Sequence, residues 1–419
     1  MPDPNKIHST LAERLQVRGF GAAQTLRVIV RYKPGARAVA EMAPGILDTL
    51  QTFRLIPASA HTVQVDAVRA LSEREDVEMI WFDEPVHTML DESVPLIGAP
   101  QVWAAGFSGK GITVAVIDTG IDLDHPDFAG RIALTKDFTG EGYFDGSGHG
   151  THVSGTIGGT GKASDGKYRG VASECTLIAA KVLRGDGSGN MSDVMAGVEW
   201  AVQQRAHVLN LSLGGGGASD GSDALSTTCD AAMNRGVVVC VAAGNSGPGA
   251  STVGSPGAAK NVITIGASSK SDAIANFSSR GPTKDGRVKP DVCFPGVGII
   301  APRAKGTSMG SPQGDYYTAA SGTSMATPHA AGSCALLLQA KPGLSPQQIK
   351  EILMSTAKDL SYEPNTQGKG RAQVFDAFTN AQGQSPAPQP GPQPPAQGQG
   401  CGATIANLLQ LLTKSASGR

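Results

Sequence analysis

Residues 112–127 read ITVAVIDTGIDLDHPD. The stretch opens with six apolar or β-branched residues and no polar alternation, so it reads as a strand buried on both faces. It ends on Asp118, followed by Thr119 and Gly120. A charge at the end of a buried strand must be hydrogen-bonded or paired. Similar runs recur at residues 176–183 (TLIAAKVL), 207–213 (HVLNLSL), 236–244 (GVVVCVAAG) and 261–267 (NVITIGA). Helical patterns lie between and after them, most clearly at residues 191–206 and 327–340. Buried strands alternating with helices predict an α/β fold, a doubly wound and mainly parallel sheet. Such sheets place ligands beyond the carboxyl ends of their strands.

Composition narrows the function. The 419 residues carry 35 basic and 36 acidic side chains, a formal net charge of -1. That balance gives no electrostatic case for nucleic acid or an anionic membrane as the main partner. The 55 glycines cluster between apolar runs, as tight turns around a sheet require. No apolar run approaches the roughly 18 residues of a membrane span. The polar first twenty residues lack the apolar core of a secretory signal, so a cytoplasmic protein is expected, with non-classical secretion as the alternative. The six cysteines form no disulfide framework. Cys240, Cys293 and Cys334 sit in apolar patterns and read as reduced, buried thiols.

The chain divides by composition. Residues 1–24 are expected to be flexible. Residues 25–90 read as a small α+β, ferredoxin-like unit of order β-α-β-β-α-β. Its strands are expected at residues 26–33, within 54–67 and at 78–90, and its helices at 38–53 and 68–77. Residues 91–380 hold the large α/β domain. Residues 381–400 are Pro/Gln/Gly-rich and read as a linker. Residues 401–419 read as a tail, with apolar residues at helical spacing for a short helix.

The four letters GTSM occur twice, at Gly306 to Met309 and at Gly322 to Met325. Taken alone, Ser324 is a helix cap, Asp118 a turn residue, His149 a helix-end histidine and Asn245 a loop amide. Together they supply the four parts of acyl transfer: nucleophile, base, orienting acid and oxyanion donor. His149 and His152 lie three apart on one helix face, without the spacing or third ligand of a metal pair.

The segments AVIDTGID, HGTHVSGT, AAGNSGPG and SGTSMATPHAAG resemble the signature segments of the subtilisin-like serine proteases, in that family's chain order of Asp, His and Ser. The resemblance spans residues 94–377. It implies a subtilisin-like fold and a serine endopeptidase. Ser324 would attack the scissile carbonyl, His149 would be the base, Asp118 its orienting acid, and Asn245 with the Ser324 amide the oxyanion hole. His152 would be the family's second, non-catalytic histidine. NLSLGG implies that Ser212, Leu213, Gly214 and Gly215 line the pocket for the cleaved residue. RGDGSGNMS implies that Gly187, Ser188 and Gly189 pair with an extended substrate by strand addition. The pocket segment NLSLGG holds no acid to attract Lys or Arg, so large apolar residues are the expected preference. The N-terminal unit resembles the family's inhibitory propeptide, which implies a zymogen and self-cleavage near Leu90 and Asp91. A structural calcium is implied at Asp127 and Glu92, although the loop GGTGKASDGKYRG lacks the family's Asn-rich ligands. Expected partners are protein or peptide substrates and the chain's own propeptide, with the mature enzyme a monomer.

Two rival readings follow. The first copy, GTSMG, matches G-x-S-x-G, the nucleophile elbow, with Asp315 and His329 in the order of that fold. The elbow needs a strand directly before it and a helix directly after, whereas PRAK precedes and SPQGDYY follows. The other rival is a non-catalytic scaffold, against which the intact Asp118, His149, Asn245 and Ser324 argue.

Overall fold

The computed structural model describes residues 3, 6–7, 11, 15, 25–33, 45–52, 57–82 and 90–383. They fall into two compact units, one within Met1–His87 and one within Thr88–Pro388.

In the first unit, strands β1 (Thr25–Tyr32), β2 (Ile46–Thr52), β3 (Ala58–Gln64) and β4 (Val77–Phe82) form an antiparallel sheet of order β2-β3-β1-β4. A helix, Val65–Glu73, packs Ala67, Val68 and Leu71 into a core with Val28, Val30 and Ile80. The expected first helix is corrected over Ile46–Thr52, which is a strand. β-Branched Ile46, Thr49 and Thr52 suit an edge strand, and pairing with β3 decides the conformation. Gly45 is a turn, and the rest of that helix and most of the sequence 83–90 lie outside the described residues. The second helix begins at Val65 rather than at residue 68, because the predicted strand-turn-strand at 54–67 is the single strand β3 followed directly by the helix.

The second unit is built on seven parallel strands in the order β11-β10-β9-β8-β5-β7-β6. They are β5 (Thr113–Asp118), β6 (Ile132–Asp137), β7 (Thr176–Lys181), β8 (Val208–Leu211), β9 (Val238–Ala242), β10 (Ile263–Ser268) and β11 (Val292–Pro295). The opening stretch is thus the inner strand β5. Its alternate residues feed different cores: Val114 and Val116 face one side, Ala115 and Ile117 the other. The first face meets helix Thr323–Ala340; the second meets helices Met191–Gln203 and Ala224–Asn234. The sequence missed β6, whose side chains are mostly half-exposed at the sheet edge, and β11.

Helix Thr323–Ala340 is buried nearly all round, from Thr323 through Leu338 with Ser324 only half-buried. A small antiparallel sheet of β12 (Ile299–Pro302), β13 (Ser311–Pro312) and β14 (Tyr317–Ala320) leads into it. The cysteines of the described residues, 175, 229, 240, 293 and 334, are free and buried, as expected. No helix of the described residues is long and apolar enough to cross a membrane.

Candidate active site

Asp118 is the last residue of β5 and is 1% exposed. Its Oδ1 accepts the amide of Thr119 at 2.8 Å and Nδ1–H of His149 at 2.7 Å. His149 opens the helix His149–Gly158, and its side chain remains 22% exposed to the cleft. Bonding through Nδ1 leaves the lone pair of the neutral ring on Nε2. Burial disfavours the charged ring, but the charge and hydrogen bond of Asp118, and then the charge of Asp145, outweigh it. The His149 pKa is therefore raised above its ordinary value of 6.5.

Asp145 was not singled out in the sequence, where it reads as a turn residue. It is fully buried and collects five donors: Thr119 Oγ1, the amides of Ser147, Gly148 and Thr151, and Thr151 Oγ1, at 2.6–3.1 Å. Gly148, the N-cap of the His149 helix, has no side chain and sits at φ 91°. Asp145 caps the helix instead, from three residues upstream. Thr119 Oγ1 also accepts the amide of Gly150 at 2.9 Å. One carboxylate thereby ties the residue after Asp118 to the backbone on both sides of His149.

His152 lies in the same helix, three residues further on. It is buried, its Nε2 lies 3.0 Å from the carbonyl of Ile299, and burial pushes its pKa down to about 4. It stays neutral as part of the core, in line with a non-catalytic role.

Ser324 lies in the first turn of its helix, beside the free amides of that end. Pro328 has no N–H, so the carbonyl of Ser324 loses its helical partner. Ser212 Oγ donates to that carbonyl at 2.9 Å, and Ser324 Oγ donates back to the carbonyl of Ser212 at 3.0 Å. Asn245 Oδ1 accepts both the amide and the hydroxyl of Thr323, at 2.9 and 3.0 Å. This fixes the side-chain amide, so that its NH2 group is the free end.

A cleft of about 800 Å³ is lined by His149, Asn245 and Ser324 together with Gly187, Ser188, Gly189, Ser212, Leu213, Gly214 and Gly215. All the expected substrate-contact residues therefore share one cavity with His149 and Ser324. Asp118 is behind His149, off the surface. The remaining lining includes Met191, Val194, Leu225 and Met309, and no Asp, Glu, Lys or Arg.

The first GTSM copy does not form an elbow. Ser308 is exposed, the nearest strand, β12, ends at Pro302, and the two-residue strand β13 follows instead of a helix. Its supposed partner His329 is buried, bonded through Nδ1 to the carbonyl of Met325 and through Nε2 to Ser93 Oγ, both at 2.9 Å. Asp315 is exposed.

The residues expected to hold calcium do not fit it. Asp127 is buried, and its carboxylate accepts the hydroxyl of Tyr317 at 2.9 and 3.1 Å and the amide of Ala163 at 3.0 Å. Glu92 pairs with Lys270 at 3.3 Å. A cation at either acid would have to displace these partners. Among the described residues no group of three or more His, Cys, Asp or Glu side chains is gathered for a metal.

A family model described as Subtilase family matches residues 109–377. The chain belongs to the subtilase family, and it is a serine endopeptidase of the subtilisin type. It is 37% identical over 402 residues to serine protease AprX of Bacillus subtilis (strain 168), covering 88% of this chain and 90% of that one. It is 39% identical over 313 residues to subtilisin E of the same strain, covering 73% and 76%. Among solved structures, a cold adapted subtilisin-like serine proteinase superposes with a TM-score of 0.52 at 36% identity, covering 64% of this chain and 88% of that one.

Proposed function

We propose that this endopeptidase works through Asp118, His149 and Ser324, with Asn245 and the Ser324 amide as oxyanion donors. The supporting observation is the 2.7 Å bond from His149 to Asp118, in a cleft shared with Ser324 and Asn245. Substrate binding swings Ser324 Oγ from the Ser212 carbonyl to His149 Nε2, a rotation about one side-chain bond. Oγ then attacks the carbonyl carbon as Nε2 takes its proton, and the C=O electrons move onto oxygen. The free NH2 of Asn245 meets that oxyanion. Collapse expels the amine, which takes the proton from Nε2, and water repeats the sequence on the acyl-enzyme. Asp118 holds the ring in the tautomer this requires and stabilises its charged form.

Substrate is proposed to bind extended between the exposed backbone of Gly187, Ser188 and Gly189 and the segment Ser212, Leu213, Gly214 and Gly215, of which the two glycines are exposed. The uncharged, Leu- and Met-containing lining supports a preference for large apolar residues at the cleaved position. The N-terminal unit is proposed to be an inhibitory propeptide, removed by the enzyme itself near Leu90 and Asp91, and the mature enzyme is proposed to be a monomer.

Incubation with casein and with a serine-directed covalent inhibitor tests the reading. Wild type and Ser308→Ala are expected to cleave and to be labelled, and Ser324→Ala to do neither. Retained labelling in Ser324→Ala, or full loss in Ser308→Ala, would remove Ser324 from the role.

A further inference from the structure

We propose that Met309, in the first GTSM copy, forms the contact surface for the residue just after the scissile bond and selects apolar side chains there. The inference rests on the assignment of His149 as the base that protonates the leaving amine.

Three observations place Met309. It lines the cleft that holds His149 and Ser324. It also packs against the backbone immediately before His149: a Cβ built on Gly148 would lie 2.7 Å from Thr307 Oγ1 and 3.5 Å from Met309 Cβ. Finally, it belongs to a third segment of the lining, distinct in sequence from the two backbone edges, 187–189 and 212–215, that the acyl side of a substrate would occupy. His149 must reach the leaving nitrogen, so the chain attached to that nitrogen departs past the His149 side of the cleft. Met309 is the apolar side chain held there.

The loop carrying Met309 is built rather than loose. Arg303 Nη2 donates to the carbonyl of Thr307, and Thr307 Oγ1 to that of Ala304, each at 2.8 Å. The amide of Lys305 donates to Asp122 Oδ2 at 2.8 Å, and Thr318 Oγ1 donates to the carbonyl of Met309 at 2.7 Å. Gly310 turns the chain at φ 69°, where a Cβ would meet the carbonyl oxygen of Ala319 at 2.3 Å. Ser311 and Pro312 then pair with Ala319 and Thr318 of β14, the strand that feeds the Ser324 helix. The position of Met309 is therefore tied to both His149 and Ser324. An unbranched thioether on a fixed backbone offers a deformable apolar surface suited to varied apolar partners.

The test uses one acyl peptide joined either to p-nitroaniline or to peptides beginning with Leu, Asp or Lys. For each variant, kcat/KM for the peptides is divided by that for the anilide, a constant leaving group that carries no charge and no amino-acid side chain. Wild type is expected to favour Leu over Asp by about tenfold, the size of discrimination an apolar contact supplies. Met309→Ala is expected to erase most of that ratio, and Met309→Glu to turn the preference toward Lys. Anilide turnover shows that each variant has folded. Normalised preferences equal to wild type in both variants would overturn the proposal, as would equal loss on every substrate. A wild type that turns over neither substrate class would overturn the triad assignment as well, whereas active enzyme indifferent to residue 309 overturns this inference alone.

Discussion

Ser212 and Ser324 exchange hydrogen bonds, each hydroxyl donating to the carbonyl of the other at 2.9 and 3.0 Å. One half of the exchange fills a vacancy that Pro328 creates, since it leaves the Ser324 carbonyl without a helical donor. Ser212→Ala is expected to cost about 1–2 kcal/mol of stability, the usual penalty for an unmet buried acceptor. Restoring the amide with Pro328→Ala should shrink that cost, giving a coupling of at least about 0.5 kcal/mol in a double-mutant cycle. Urea unfolding in a Ser324→Ala background, which prevents self-digestion, measures it. Strict additivity would mean that the two sites are not linked through that carbonyl.

Asp145→Asn is expected to move the acid limb of kcat/KM to lower pH. The Asp145 charge helps raise the His149 pKa above 6.5, so its removal lets the ring lose its proton at lower pH. The charged groups facing the ring's surroundings are Asp118, Asp145 and the Lys181 ammonium, which donates to the Thr119 carbonyl at 2.8 Å; His152 beside them is neutral. Stability runs with the opposite sign to catalysis. The raised folded pKa makes the His149 contribution complete below the unfolded value, and it fades as pH rises through the folded one. A purely structural role for Asp145 would lower kcat/KM with the limb unmoved.

Asn245→Ala is expected to lower kcat by about 10²–10³-fold with little change in KM, the pattern for a donor used only in the transition state. Steady-state kinetics on an apolar anilide checks it. A rise in KM alone would place Asn245 in ground-state binding.

Tyr317→Phe is expected to cost about 1–3 kcal/mol, because it removes a donor from the buried Asp127 carboxylate. The cost should be the same with and without EDTA. If chelation destabilises the wild type and Asp127→Asn abolishes that response, a cation belongs on Asp127 after all.

Mass spectrometry of purified wild type is expected to show a cut between Val86 and Pro95 that Ser324→Ala lacks. Leu90 and Asp91 open the helix Leu90–Leu96, and a bond must be extended to enter the cleft, so cleavage requires that turn to unwind. Intact wild-type chains would end the self-processing proposal.

The parallel sheet was legible because strands buried on both faces leave unbroken apolar runs, as in residues 113–117. Asp118, His149, Asn245 and Ser324 were legible because each sits where a strand ends or a helix begins, in a short sequence with few other uses. β2 was misread because an edge strand packs little, so its pattern is weak and its partner strand decides. Asp145 was hidden because its five donors are mostly backbone amides, whose positions no residue identity announces. Met309 was hidden because identical letters surround Met325, and only tertiary placement separates a methionine of the cleft wall from one of the helix core. Tyr317 was hidden too, since its reach to Asp127 spans distant segments.

The seven parallel strands have a consequence in time. Parallel neighbours cannot be joined by hairpins, so every pairing waits on a crossover and much of the search for the fold must finish before any strand is secure. The proposed triad of Asp118, His149 and Ser324 belongs to elements joined only by that search, so on that assignment hydrolytic power would arrive late, after the chain has hidden its own cleavable segments. The barrier that slows arrival also slows departure. A protease is surrounded by copies of itself, and its lifetime is set by how rarely one of them opens.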